Sequence, residues 1–192
     1  MKLLEDKIKA CGKILPGDVL KVDSFLNHQL DVVFLDQLAE ELYRRYRDAG
    51  VNKILTIEAS GIGIASLVAL KFRCPLVFAK KSKTSNLGAD VFSAQVHSYT
   101  HGNDNTIVVS KQYLRETDTL LLIDDFLAMG EALSGLLEVA AQAGAKVAGA
   151  GIIIEKAYQQ GGALIRARGV RVESLARVAY MTDAGEIGFC ED

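Results

Sequence analysis

The chain has 192 residues, of which 49% are hydrophobic and only two are proline, so it can bury a full core and is not disordered. Its formal net charge of −2 at pH 7 gives no electrostatic footprint for nucleic acid. The three cysteines are dispersed without CxxC spacing, and no apolar run reaches a membrane-spanning length. The charged N-terminus lacks an apolar signal core. We therefore expect one cytoplasmic domain with neither a nucleic-acid nor a membrane partner.

The first quarter of the sequence predicts two helices around a short extended segment. Residues 1–13 have apolar residues at helical spacing, and Pro16-Gly17 ends that pattern. Residues 19–22 are predicted to be extended, and residues 23–29 form a polar connection. A longer helix is predicted over residues 31–49, with Asp31 as its N-cap and Gly50 at its end.

The middle of the sequence predicts one βαβ unit followed by a hairpin. Residues 53–58 (KILTIE) form a strand, residues 59–63 (ASGIG) a tight loop, residues 64–72 a helix and residues 76–80 a second strand. After the polar residues 81–91, residues 92–99 and 106–110 read as the arms of a hairpin with its turn at 101–105. We expect a flexible hairpin over about residues 81–105 of the sequence.

The remaining sequence alternates between strand and helix patterns. Strands are predicted at 119–123, 147–154 and 170–175, with a helix at 131–143 that Gly144 caps. Residues 158–168 are ambiguous, and the tail from Thr182 is expected to be exposed. This alternation predicts one α/β domain over residues 1–192, built on a central, mostly parallel sheet flanked by helices.

Two adjacent acids, Asp124 and Asp125, stand where an apolar strand runs into a glycine turn and a helix start (TLLLIDDFLAMGEA, residues 119–132). Acids at a strand end can simply cap a helix or face solvent. However, parallel sheets bind ligands at the carboxyl ends of their strands, and a helix N-terminus favours a phosphate. The order of strand, acids, turn and helix therefore favours a ligand site.

This stretch resembles the motif with which type I phosphoribosyltransferases bind 5-phosphoribosyl 1-pyrophosphate (PRPP). The resemblance implies that Asp124 and Asp125 contact the ribose hydroxyls and stabilise the positive charge that builds on the ribose as pyrophosphate leaves. It also implies that the 5′-phosphate is wrapped by Ala128, Met129, Gly130, Glu131 and Ala132. Since this loop has no hydroxyl, backbone N–H groups and the helix dipole would hold the phosphate, with the Glu131 carboxylate pointing away. Such a loop resembles the xanthine branch of the family.

Two more segments match the family. Residues 59–63 lack the GK[ST] of a P-loop and the full GxGxxG of a dinucleotide site, so alone they are an ordinary βα turn. The resemblance implies that Ser60 and Gly61 bind pyrophosphate through backbone amides. It also implies that Lys81 reaches the pyrophosphate from a closing hairpin, in its own or a partner subunit of a homodimer. Mg²⁺ would be carried by PRPP, because no protein ligand set stands out.

The base-binding residues are also predicted by the resemblance. Residues 19–29 (VLKVDSFLNHQ) resemble the base-binding hood, although they could be an ordinary connection with a buried Leu20 and a turn-forming Asn27. The hood would come mainly from residues 1–30 and the C-terminal part of the chain. Leu20 would pack on the purine, Asn27 would read its edge, and Lys156 would donate to a base oxygen. Because a lysine cannot accept a hydrogen bond from an amino group, Lys156 favours an oxopurine over adenine.

The resemblance covers essentially all 192 positions and implies transfer of the phosphoribosyl group from PRPP to N9 of xanthine. Adenine or hypoxanthine–guanine phosphoribosyltransfer is an alternative within the enzyme class. A purine transcription regulator that senses PRPP is another, although such regulators carry a winged-helix module ahead of this domain. Here only one short predicted helix precedes the hood segment.

Overall fold

The structure is a computed structural model and describes residues 1–82, 90–98 and 103–191. An eight-stranded sheet has the order β10-β9-β8-β7-β3-β4-β6-β5. Its strands are β3 (Lys53–Ile57), β4 (Leu76–Ser82), β5 (Val91–Ser98), β6 (Asn103–Ser110), β7 (Thr119–Leu127), β8 (Lys146–Lys156), β9 (Val172–Met181) and β10 (Ile187–Phe189). The pairs within β9-β8-β7-β3-β4 are parallel, and the other pairs are antiparallel. The predicted mostly parallel sheet is confirmed.

Helices cover both faces of this sheet. They are α1 (Lys2–Cys11), α2 (Val32–Tyr46), α3 (Gly61–Phe72), α4 (Glu131–Gln142) and α5 (Gly161–Ala167). Side chains alternate along each strand, so Leu121 packs with α1, α2 and α3 on one face, and Leu122 packs with α4, α5 and the β5–β6 hairpin on the other. The core therefore has two apolar layers, one on each side of the sheet.

The N-terminal part forms a small cap beside the sheet. Strands β1 (Lys13–Leu15) and β2 (Val19–Lys21) pair antiparallel, and a π-helical turn (Asp23–Asn27) leads into α2. The Asp31 side chain accepts a hydrogen bond from the Phe34 N–H at 3.2 Å, which confirms it as the N-cap of α2. We call β1, β2 and the π-helical turn the hood.

Several predicted boundaries were wrong at strand ends. Helix α3 already begins at Gly61, so the second half of the expected loop is its first turn. Strand β7 does not stop at Ile123 but continues through the acid pair to Leu127, because β8 also extends and keeps pairing with it. The ambiguous residues 158–168 contain α5, and the strand expected at 170–175 is the longer β9.

The C-terminal tail is exposed at residues 183–186, as predicted, but residues 187–190 are partly buried. The chain turns back at Gly185, and β10 pairs antiparallel with β9. Ile187 and Phe189 on β10 are partly buried against the core layer of α1 and α2, which gives a short strand a reason to dock. The predicted hairpin arms are present as β5 and β6. Residues 83–89 and 99–102 lie outside the described part of the chain, and these include the first two residues of the turn predicted at 101–105. The other three residues of that turn belong to β6.

Candidate functional site

The acid pair lies within β7 at the carboxyl end of the parallel strands. Asp124 and Asp125 are 5% and 7% exposed, and Asp124 Oδ1 accepts a hydrogen bond from the Asp125 N–H at 3.0 Å. Burial raises the pKa of Asp124 well above its ordinary value, and the charge of Asp125 adds to that effect, whereas the charge of Lys81 opposes it. The two acids therefore neither face solvent nor cap the helix.

A cavity of about 270 Å³ opens above this pair. Of the residues predicted to act on substrate, those lining it are Asp124, Asp125, Ser60, Lys81, Ala128, Met129, Gly130, Glu131 and Ala132. Gly61 lies beneath the cavity floor, where a Cβ would be 2.3 Å from Thr56 Oγ1 and 3.3 Å from Asp124 Oδ1. A side chain at that position would clash with Thr56 and would lie tightly against Asp124.

The loop after the acid pair ends at a helix start. Gly130 has φ +86°, a left-handed conformation, and α4 begins at Glu131. The first N–H groups of any helix have no partner within it, so those of α4 are available to an anion in the cavity. Glu131 lines the same cavity, and the direction of its carboxylate stays a prediction.

Helix α5 packs directly on this loop. The Gly161 N–H donates to the Ala128 carbonyl at 3.0 Å, and a Cβ on Gly161 would be 2.5 Å from Gly130 N. The Ala128 carbonyl is thereby turned into the protein. Gly161 was not predicted as a site residue, because a pair of glycines in the sequence does not by itself indicate contact with a distant loop.

A buried carboxylate anchors α5 to the sheet. Glu155 is 2% exposed and accepts hydrogen bonds from Arg166 at 2.6 and 2.8 Å and from Ser174 at 2.5 Å. Burial alone would raise the pKa of Glu155, but the bonds from Arg166 and Ser174 and the charges of Arg166 and Arg177 outweigh it and lower the pKa. This network keeps α5, and with it Gly161, in place.

Lys81 enters the cavity from the end of β4 in its own chain. Its N–H donates to Glu58 Oε1 at 2.6 Å, and its exposed side chain lines the cavity. Glu58, at the end of β3, also lines the cavity and was not predicted. A contribution of Lys81 to its own subunit's site therefore needs no partner chain.

The hood brings Asn27 to the acid pair. Asn27 Nδ2 donates to Asp125 Oδ2 at 3.3 Å across 98 residues of sequence. Its Oδ1 is buried and has no hydrogen-bond partner among the described residues. Leu20 is 7% exposed on β2 and belongs to the core layer of α1 and α2. Asn27 thus contacts the predicted catalytic residue Asp125, and its Oδ1 remains available as an acceptor.

Lys156 lies at the end of β8, where its ammonium group contacts the hood. Its Nζ donates to the Asp18 carbonyl and is 3.5 Å from Asp18 Oδ2. Tyr158 and Gln159 also donate to the Asp18 carboxylate. Neither Lys156 nor Leu20 lines the acid-pair cavity in the described part of the chain. Asp18, Tyr158 and Gln159 were not predicted, and the only signal for Asp18 was its place after Pro-Gly.

Within residues 1–82, 90–98 and 103–191, no cluster of three or more metal-ligating side chains occurs. Over the same residues, each helix is too short or too polar to cross a membrane.

The sequence matches the family model described as a phosphoribosyl transferase domain over residues 21–173. It is 51% identical over 192 residues to a xanthine phosphoribosyltransferase of Listeria monocytogenes serotype 4b, covering 100% of both chains. It is 49% identical over 189 residues to that of Limosilactobacillus fermentum, covering 98% of this chain and 96% of the relative. These similarities extend over nearly the whole length of the proteins compared.

Solved structures with the same fold include adenine enzymes. The APRTase from Giardia lamblia complexed with 9-deazaadenine superposes with a TM-score of 0.79 at 24% identity, covering 92% of this chain and 98% of that one. The adenine phosphoribosyltransferase from Thermoanaerobacter pseudethanolicus gives 0.72 at 18% identity, covering 91% and 99%. At these identities the likeness concerns the fold alone.

Proposed function

Because this chain belongs to the phosphoribosyltransferase family, we propose that it transfers the 5-phosphoribosyl group of PRPP to N9 of xanthine. The products are xanthosine 5′-monophosphate and pyrophosphate, a purine-salvage step. The observation that carries the proposal is 51% identity over 192 residues to a xanthine phosphoribosyltransferase. The acid pair and the start of α4, which line one cavity, supply the chemistry that this reaction needs.

The acid pair serves the ribose. During transfer the bond from C1′ to pyrophosphate breaks, the bond from C1′ to N9 forms, and positive charge develops on the ribose between these events. Asp124 and Asp125 line the cavity and belong to β7, which supports a role in which their carboxylates contact the ribose hydroxyls and stabilise that charge. The raised pKa of Asp124 reflects the cost of ionising a buried carboxyl group beside Asp125, which an approaching positive charge lowers.

The loop from Ala128 to Ala132 receives the 5′-phosphate. It offers no hydroxyl, so the free N–H groups at the start of α4 and its dipole supply the binding. Ser60 and Gly61 at the start of α3 and Lys81 at the end of β4 receive the pyrophosphate. Mg²⁺ bound to PRPP would neutralise the pyrophosphate charge, and the carboxylates in the cavity fit a cation-bearing substrate.

The base is recognised by the hood and the end of β8. Asn27 has a free buried acceptor next to the acid pair, and Lys156 offers donors to a base oxygen. Leu20 supplies the apolar contact. An oxopurine presents carbonyl oxygens to Lys156, whereas the amino group of adenine is a donor and would offer no acceptor to the ammonium group.

We also propose that the protein acts as a cytoplasmic homodimer, as the family resemblance implies. The resemblance alone supports the dimer. Lys81 adds no support, because it lines the cavity of its own chain and needs no partner subunit to reach it. Residues 1–192 are proposed to form a single catalytic domain.

Adenine phosphoribosyltransfer is the second candidate, because the fold is shared with the adenine enzymes. Initial rates of pyrophosphate release from PRPP should be measured with xanthine, guanine, hypoxanthine and adenine separately. We expect the highest kcat/KM with xanthine and the lowest with adenine. A preference for adenine would refute the assignment, and release of no pyrophosphate with any base, together with DNA binding, would indicate a regulator.

A further inference from the structure

Three donors, from the last residue of β8 and the segment that follows it, converge on one residue of the hood. Tyr158 Oη donates to Asp18 Oδ1, Gln159 Nε2 donates to Asp18 Oδ2, and Lys156 Nζ contacts both the carbonyl and the carboxylate of Asp18. These partners are 138 to 141 residues from Asp18 in the sequence. The contacts therefore join two distant parts of the chain at the place where the base is proposed to bind.

Asp18 lies in a tight turn with a left-handed backbone conformation. Leu15 pairs with Val19, which leaves Pro16, Gly17 and Asp18 as the turn of the β1–β2 hairpin. Asp18 has φ +63°, a left-handed conformation that glycine adopts at no cost and other residues adopt less readily. Glycine would adopt this conformation at lower cost than aspartate, but only the aspartate supplies the carboxylate that the three donors contact.

The ammonium group of Lys156 is largely buried and depends on acceptors within the protein. Its side chain is 12% exposed, so the ammonium group is largely withdrawn from water and needs fixed acceptors, whereas Asp18 is 40% exposed. An ammonium group has three donors. The Asp18 carbonyl accepts one hydrogen bond from this group and an Asp18 carboxylate oxygen lies 3.5 Å away, which leaves a donor for a ligand oxygen.

Tyr158 and Gln159 extend the arrangement. Burial raises the pKa of Tyr158, and the hydrogen bond to Asp18 and the Asp18 charge raise it further, so its hydroxyl remains a donor at neutral pH. Gln159 Oε1 is buried and unpartnered within the described part of the chain, so the amide has its donor on Asp18 and its acceptor free. Asp18 thereby fixes the orientation of both side chains as well as that of Lys156.

We propose that Asp18 is a positioning residue for base recognition: it directs Lys156 toward the base oxygen and holds the hood on the end of β8. This inference rests on the proposed function, since it requires that Lys156 contacts the base. Asp18 itself does not touch the reacting atoms.

The test compares Asp18→Gly with Asp18→Asn, both compatible with the left-handed turn. Asp18→Gly keeps the carbonyl that accepts from Lys156 Nζ and removes the carboxylate that contacts Lys156, Tyr158 and Gln159. We expect it to raise the KM for xanthine about tenfold, with kcat and the KM for PRPP changed by less than about twofold. Asp18→Asn keeps an oxygen acceptor and should recover part of the loss. Arg73→Gly is the matched control, because Arg73 (φ +53°) is the other described non-glycine residue with positive φ and lies at the end of α3. It should change no kinetic constant.

A double-mutant cycle separates positioning from a general structural effect. In a Lys156→Ala background, Asp18→Gly should add no further increase in the KM for xanthine, because the Asp18 carboxylate acts on the base by way of Lys156. An unchanged KM in Asp18→Gly, or an equal further increase in the Lys156→Ala background, would overturn the inference. If the unsubstituted protein prefers another base, the proposed function fails and the same cycle with that base decides the role of Asp18. If no base is transferred, both fail.

Discussion

At the scale of single residues, the proposed catalytic residue Asp124 lowers the stability of the folded protein when it is ionised. Asp124 is buried beside Asp125, and its pKa is raised above the value of about 3.9 that an unfolded chain has. The folded state therefore binds this proton more tightly than the unfolded state. Its contribution to stability is fully present below the unfolded pKa and is lost as the pH rises through the raised one. At neutral pH the site holds a group that opposes folding.

Replacing Asp124 by asparagine should make this conflict visible. The amide oxygen can still accept the Asp125 N–H, but the side chain no longer titrates. We expect the free energy of unfolding of Asp124→Asn to exceed that of the unsubstituted protein at pH 8, with the difference shrinking as the pH falls toward 4, while kcat drops about a hundredfold.

Urea unfolding at several pH values measures the first effect and a PRPP-dependent assay the second. Asp48→Asn serves as the control, since the Asp48 side chain is 93% exposed. A stability difference that does not vary with pH would contradict the account of Asp124, and unchanged turnover would contradict its catalytic placement.

At the scale of elements, the phosphate loop depends on a helix that does not contact the substrate site directly. Gly161 at the start of α5 lies so close to the loop that a Cβ would be 2.3 Å from the Ala128 carbonyl oxygen. The Glu155–Arg166 pair holds α5 in that position. The geometry of the loop is therefore set by packing between α5 and the turn after β7.

Gly161→Ala should displace this loop. The added methyl group cannot fit without a shift of backbone, so we expect the KM for PRPP to rise about tenfold and the free energy of unfolding to fall by about 1–3 kcal/mol, as for overpacking elsewhere. The KM for xanthine should change less. Steady-state kinetics and urea unfolding measure these effects, and Leu164→Ala, on the same helix but 49% exposed, is the control. An unchanged KM for PRPP would show that the loop is held in another way.

At the scale of the whole molecule, the question is whether two subunits share a site. Sedimentation should show the proposed dimer. Because Lys81 lines the cavity of its own chain, we expect each subunit to be catalytically self-sufficient.

Mixing inactive Asp124→Asn subunits with Lys81→Ala subunits distinguishes the two arrangements. If Lys81 acts within its own chain, each site of a mixed dimer carries one defect, and we expect no recovery of activity. If Lys81 acts across the interface, random exchange would restore about a quarter of the activity of the unsubstituted protein, because half of the dimers are mixed and each has one intact site. Native mass spectrometry of the mixture confirms that exchange took place.

The sequence alone was sufficient to predict those features whose residues all lie in one stretch of the chain. The strand, acid pair, turn and helix start of residues 119–132 are contiguous, so the motif and the parallel sheet around it could be predicted from the sequence. The four buried side chains on one face of α2, spaced three and four apart, predicted that helix for the same reason.

Only the tertiary structure decided what depends on partners distant in sequence. The strand β7 continues past Ile123 because β8 remains beside it, and β10 forms because β9 offers an edge. The contacts of Asn27 with Asp125 and of Asp18 with Lys156 join residues about a hundred or more positions apart. The periodicity of apolar residues indicates which face of a helix or strand is buried. The packing of the folded chain determines which other element lies against that face.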